Sequence, residues 1–178
     1  MERREERSFQ LQGLTEDHPR WPDFVRCLEE TVPEQAPFVL GDYARHLPRY
    51  LSVAFQDDQI VGFLRFGIQP VGAEEQCPPL VLNGVTLTEA KIHAFAVHPE
   101  HRGQGIGTAL QREAIRRARE LGCYQLASHS GYGPETSASH HVKLSLGFSA
   151  LPETHGDQQS IRFLMPLQVP PAQGPEKS

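Results

Sequence analysis

"AFAVHPEHRGQGIGTAL" spans residues 94–110 and sets three glycines into five positions directly behind an arginine. An apolar run precedes those glycines and a helical pattern follows them. Glycine costs about 1 kcal/mol relative to alanine inside a helix, so its repeated use points to a close approach of backbone to something. A strand that feeds such a turn and opens a helix makes an anion site. Its free N–H groups and the positive end of the helix dipole point the same way. Two familiar phosphate loops do not fit. The chain has no GxxxxGK[ST], and Gly103, Gly105 and Gly107 read GxGxG rather than GxGxxG. What stands is Arg102-Gly103-Gln104-Gly105-Ile106-Gly107.

Outward from that turn, "AKIHAFAV" (90–97) reads as a central strand. Strict alternation along it puts Lys91, His93, Phe95 and Val97 on one face. Ile92, Ala94 and Ala96 fall on the other, which should lie against a helix. A helix is predicted from about Gly105 to Leu121, because Ile106, Leu110, Ala114 and Ala118 form a stripe. Arg112, Arg116, Arg119 and Glu120 then face water, and Gly122 suits the position that ends the helix.

Upstream, "SFQLQGL" (8–14) is a first strand, and a helix over about 21–31 turns Phe24, Val25 and Leu28 inward, with Pro22 in its first turn. "GDYARHL" (41–47) is predicted as a second short helix stopped by Pro48. "YLSVAFQDDQIVGFLRFGIQ" (50–69) is a hairpin, residues 70–79 are a loop, and Asn83-Gly84 marks a turn in an excursion before the central strand. Downstream come a strand over 123–130, a loop and helix over about 135–146, and a last strand over 161–167. Residues 1–7 read as a charged arm and 168–178 as a disordered Pro-rich tail around one domain, 8–167.

Composition narrows the classes. The chain has 178 residues, 22% of them charged and 38% hydrophobic, with a formal net charge of −5. That fits one soluble domain and excludes the basic face of a nucleic-acid binder. Three scattered cysteines with no CxxC give neither a disulfide framework nor a zinc ribbon. The start, "MERREERSFQ", has no apolar core of a signal segment, and no run of about 18 apolar residues occurs. The reading is a reduced, cytoplasmic protein without a membrane partner.

The stretch "AFAVHPEHRGQGIGTAL" resembles the acetyl-CoA-binding motif of the GNAT superfamily of N-acetyltransferases. "SHHVKLSLGF" (139–148) resembles that family's late helix with its closing Gly-Phe pair. The order of elements agrees over roughly residues 8–167. The resemblance implies an α+β (α/β) fold: a mixed, mostly antiparallel twisted sheet of about six to seven strands, splayed between two central strands and flanked by about four helices. It implies acetyl-CoA as cosubstrate, with the pantetheine arm along Phe95, Ala96 and Val97. The pyrophosphate would sit on the N–H groups of Arg102, Gly103, Gln104, Gly105, Ile106 and Gly107, with Thr108 at the edge. It also implies a homodimer.

Acetyl transfer to an amine needs a neutral nitrogen, a polarised thioester carbonyl and a protonated leaving thiolate. The N–H of Val97 is the expected oxyanion donor. An amine with pKa near about 10 is mostly protonated at neutral pH, so a base is needed. Counted back from Arg102, the family's frequent glutamate position holds Lys91 here, which leaves His93 as first candidate base and Glu89 as second. The family's frequent tyrosine, four residues before the Gly-Phe glycine, is replaced by Lys143. His140 and Lys143 are the candidate acids, and a thiol of pKa about 8.5 leaves tolerably without a strong one. His98-Pro99-Glu100-His101 is an HxxH, but Pro99 and the turn break the helical i, i+4 geometry of a zincin, so no metal is expected.

The acceptor pocket is expected from the early helices, the 70–88 excursion and the 129–137 loop. Tyr43, His129 and Tyr132 are its candidate binding residues; Trp21, Phe38 and Tyr50 are further aromatic walls, and Asp42, Glu74, Glu75 and Glu135 are candidate attractors of a cationic amine. Three functions are compatible with the residues. The first is transfer to a primary amine of a small molecule in a ternary complex, the second transfer to a protein or peptide. The third is a non-catalytic acyl-CoA-binding module, suggested by Lys91 and Lys143 standing in for expected groups.

Overall fold

The computed structural model describes residues 8–41 and 47–168. The charged arm, the tail after Gln168, and most of the short helix read over 41–47, with Asp42 and Tyr43, lie outside these residues. Strands β1 (Gln10–Leu14), β2 (Arg49–Gln56), β3 (Gln59–Pro70), β6 (Thr88–Val97), β7 (Gln125–Ser130), β8 (Ser149–His155) and β9 (Gln158–Pro166) form one sheet, and β4 (Val81–Leu82) pairs with β5 (Val85–Thr86) around Asn83-Gly84. The main sheet runs β1-β2-β3-β6-β7-β9-β8. All its pairs are antiparallel except β6 with β7. The helices are α1 (Trp21–Thr31), α2 (Ala36–Leu40), α3 (Ile106–Glu120) and α4 (Ser137–Ser145). The sheet is therefore mixed and mostly antiparallel, with four helices around it, as the resemblance implies.

Each face of the sheet buries its own core. On one, the α3 stripe of Ile106, Leu110, Ala114 and Ala118 packs on Leu64, Phe66, Ala90, Ile92, Leu126 and Phe163. On the other, Phe24 and Leu28 of α1 and Val39 of α2 pack on Val53, Phe63, Ala94 and Ala96. Burial of the Val, Leu, Ile and Phe side chains among these stabilises by roughly 1.5–3 kcal/mol each, which is what holds the helices to the sheet.

Alternation along β6 fails at one place. Arg65 pairs with Ala94 and Phe66 with Ile92, so His93 is an extra residue opposite a continuous β3. This bulge reverses the parity. Ile92 belongs to the α3 core and Ala94 and Ala96 to the α1 core. The expectation that these three share a face is corrected accordingly: they divide between faces, and Phe95 and Val97 pack with the α3 core.

The edge strand β8 is a second departure from the sequence reading. Six of its seven residues are exposed and only Glu153 is half-buried, so no hydrophobic period announces it. Strand formation there comes from pairing with β9 over Ser149–His155. Among the described residues, no helix is long and apolar enough to cross a membrane.

Candidate active site

The parallel ladder between β6 and β7 holds only Glu89, Ala90 and Lys91 against Gln125, Leu126 and Ala127. Past Lys91 the strands part. A cleft of about 780 Å³ opens between Ile92–Val97 on one side and Ser128–Ser130 on the other. Its remaining walls are the glycine turn, the corner after α1 (Thr31, Val32, Glu34, Gln35), and α4 through Val142 and Lys143. That volume lies within the range of small-molecule sites, about 300–1,000 Å³.

The turn that follows β6 leaves backbone amides bare at the start of α3, the arrangement an anion site needs. Gly103 and Gly105 have φ of +74° and +81°, and a Cβ on either would meet open space. These glycines answer a backbone requirement, since left-handed φ is strained for other residues. Gly105 caps α3 without any side-chain hydrogen bond to the helix amides, so the first turn's N–H groups have no intrahelical partner. Arg102 reaches back through Nε to the Val97 carbonyl at 3.0 Å, which fixes its guanidinium at the cleft. Phe95, Ala96, Val97, Arg102, Gly103, Gly105, Ile106, Gly107 and Thr108 all line the cleft. Gln104 turns away, accepting at 2.8 Å from Gln56 Nε2. Beyond Gly105 and Thr108 a shallower cavity of about 530 Å³ continues past Arg112 and Arg116. The sequence pattern gave Arg112 only as a solvated helix residue.

His93 lines the cleft from the bulge, with its ring edge-on to Phe38 of α2 at 6.1 Å. Burial, then the Arg65 and Lys91 charges, push its imidazole down to about 4. Glu89 lies elsewhere: its carboxylate accepts from Gln69 Nε2 at 2.9 Å and from Gln125 Nε2 at 2.7 Å, at the paired end of the ladder. Lys143 is 3% exposed on α4, with Nζ over the Phe163 ring at 4.9 Å. Burial and, secondarily, Lys91 bring its ammonium down to about 8. His140 sits one step back, its Nε2 bonded at 2.9 Å to Ser130 Oγ, which itself lines the cleft.

His129 separates the main cleft from a smaller cavity of about 230 Å³ behind it. It contacts Lys91 Nζ, and its Nε2 lies 3.2 Å from Glu153. Lys91 also donates to Glu74 at 2.8 Å, while Arg162 holds Glu75 and Glu153. The excursion after β3 is thereby strapped to β7 and β9 by charge. Tyr132 is 54% exposed and outside the cleft lining, and Tyr50 stacks on Phe66 in the α3 core. The residues the sequence did not flag are Thr31, Glu34 and Gln35, Ser128 and Ser130, and Arg112. None belongs to a motif, and only the splay brings them to one space.

A seven-stranded sheet opened at its parallel pair, with a glycine-rich turn at the mouth of the opening, is the architecture that the resemblance to the acetyltransferase superfamily implies. Residues 16–148 match the model of the acetyltransferase (GNAT) family, and the chain belongs to that family. It is an N-acetyltransferase. An aminoglycoside N(6')-acetyltransferase type 1 from Klebsiella aerogenes is 33% identical over 129 residues, 72% of this chain and 76% of that protein. Among solved structures, the ribosomal-protein-S18-alanine N-acetyltransferase of Escherichia coli superposes with a TM-score of 0.64 at 17% identity, covering 93% of this chain and 98% of that one. A GNAT N-acetyltransferase of Escherichia coli in complex with CoA gives 0.63 at 17% identity, over 90% and 82%.

Proposed function

We propose that the protein moves an acetyl group from acetyl-CoA to a primary amine of a small molecule, by direct transfer in a ternary complex. The observation that carries this reading is the cleft at the splay. It has an anion turn at one end, a buried lysine in one wall and a polar corner after α1 at the other end. The pyrophosphate rests on the bared amides of residues 102–107 beside Arg102, and Arg112 lines the shallower cavity that continues beyond them. The likeness to an aminoglycoside acetyltransferase supports a small, amine-rich acceptor. Glu34 and Glu135 in the cleft lining favour a cationic one.

The acceptor enters between the α1–α2 corner and His93. With its imidazole neutral down to about pH 4, His93 accepts a hydrogen bond from the attacking nitrogen and orients it, rather than storing its proton. The nitrogen lone pair adds to the thioester carbonyl, and the oxyanion is held by the Val97 N–H. Collapse breaks the C–S bond and the departing thiolate takes a proton from the Lys143 ammonium, while the proton that the nitrogen sheds in becoming an amide passes to cleft water and from there restores that ammonium. At about 8, that acid is close to the thiol it serves, about 8.5, so transfer in either direction is nearly balanced. His140 supports this wall through Ser130.

The test is release of free CoA thiol across a panel of aminoglycosides, polyamines, amino acids and an N-terminal peptide. Turnover with a small polyamine or aminosugar is expected. Turnover confined to the peptide would replace this reading with a protein acetyltransferase, and CoA binding without any turnover would leave a binding module.

A further inference from the structure

We infer that the turn joining β6 to the glycine loop is a binding site for a borderline divalent transition ion, Zn²⁺ in the first place, held by His98, Glu100 and His101. One ligating atom from each of the three lies within 4.8 Å of the others. The spacing that fails on an α-helix works here because Pro99–His101 is a 3-10 turn capped by His98. With three residues per turn, side chains at i and i+3 eclipse, and the rings of His98 and His101 stand 5.7 Å apart. A tetrahedral ion with bonds of roughly 2.0–2.1 Å needs its donors roughly 3.4 Å apart, a gap that rotation of the exposed Glu100 side chain and a small turn of the half-buried His98 ring close towards His101.

The surroundings prepare the ligands. Gln56, 2% exposed, donates through Nε2 to Gln104, so its Oε1 faces His101 Nδ1 at 2.6 Å. Nδ1 must carry the proton, which leaves the Nε2 lone pair of His101 bare. A carbonyl holding the far nitrogen is the usual outer partner of a metal-bound imidazole. His98 is anchored by its amide on the Val61 carbonyl at 2.8 Å, and its Nδ1 takes only a long 3.4 Å bond from the Glu100 amide. A metal on that lone pair replaces the weak bond. Two imidazoles and one carboxylate select zinc, nickel or copper over calcium and magnesium. Three protein ligands leave a fourth position for water. His101 also lines the cleft, and Gln56 ties it to the glycine loop, so an ion here staples the turn from which that loop departs.

The test is calorimetric titration of ZnCl₂ into the full chain, first stripped with a chelator and carrying Cys77→Ser to remove the exposed thiol. One binding event per chain is expected, weakened at least tenfold by Glu100→Gln and abolished by His98→Ala with His101→Ala. A Zn²⁺-dependent rise in melting temperature should vanish in the same variants, because only the native turn binds the ion. No association, or an isotherm unchanged in the variants, overturns the site. Should the double variant melt below the working temperature, Glu100→Gln alone decides, since that side chain is exposed.

Discussion

The ammonium of Lys143 lies 4.9 Å from the centre of the Phe163 ring, buried in the wall where the strands part. The ring face favours the cation, but burial outweighs it and the ammonium falls to about 8. A lysine so placed is an acid that works at neutral pH and fails above about 8. Lys143→Met should lower kcat by about 10²-fold, the low end for loss of a general acid, with affinity for CoA little changed. In the native enzyme kcat should decline as pH rises through about 8, and that limb should be missing from the variant. A pH–rate profile under saturating acceptor checks both.

His93 gives the opposite kind of pH signature. Its folded value of about 4 lies below the ordinary 6.5, so between those values the unfolded chain binds the extra proton. Stability conferred by the neutral ring is full above about pH 6.5 and is lost as pH falls towards 4. Denaturant unfolding of native protein and His93→Gln between pH 4 and 7 should show a shallower slope in the variant. The same argument gives kcat/KM no inflection from His93 near 6.5.

Gly67 stands against that ring. A Cβ there would lie 2.7 Å from His93 Cε1, closer than any real contact. Gly67→Ala should displace the imidazole from the cleft, raising KM for the acceptor several-fold while leaving CoA affinity unchanged. Paired measurements of acceptor kinetics and CoA calorimetry separate the two ends of the site.

Lys91 is 7% exposed at its side chain and answered by Glu74. Glu74→Gln leaves a largely buried ammonium with less compensation, at an expected cost of about 1–3 kcal/mol. Adding Lys91→Met removes the stranded charge and should recover most of that loss. A thermal or denaturant double-variant cycle reads it.

The α3 stripe, the hairpin and the glycine turn were legible because each carries a period or a turn requirement within a short window. The bulge at His93 was not. Nothing local distinguishes an extra residue in a strand from the next step of alternation, and the register against Arg65 and Phe66 decides it. β8 escaped for a related reason, since an exposed edge strand has no buried face to leave a pattern. In the site, the residues of the turn were readable from glycine chemistry alone. Glu34, Gln35 and Ser128 reach the cleft only through the splay, a relationship between two strands that neither strand's sequence contains. Glu89, read as a second base, is absorbed by two glutamine amides at the closed end of the ladder.

The most direct measurement is calorimetry of CoA against the native chain and Gly105→Val. Gly105 has φ of +81° with open space where a Cβ would sit, so valine there strains the backbone by about 1–3 kcal/mol without filling a packed core. Submillimolar binding by the native chain, lost in a variant that still melts cooperatively, is the expected result. Equal binding by both, or none by the native protein, would contradict the claim that bared amides behind Arg102 hold the diphosphate.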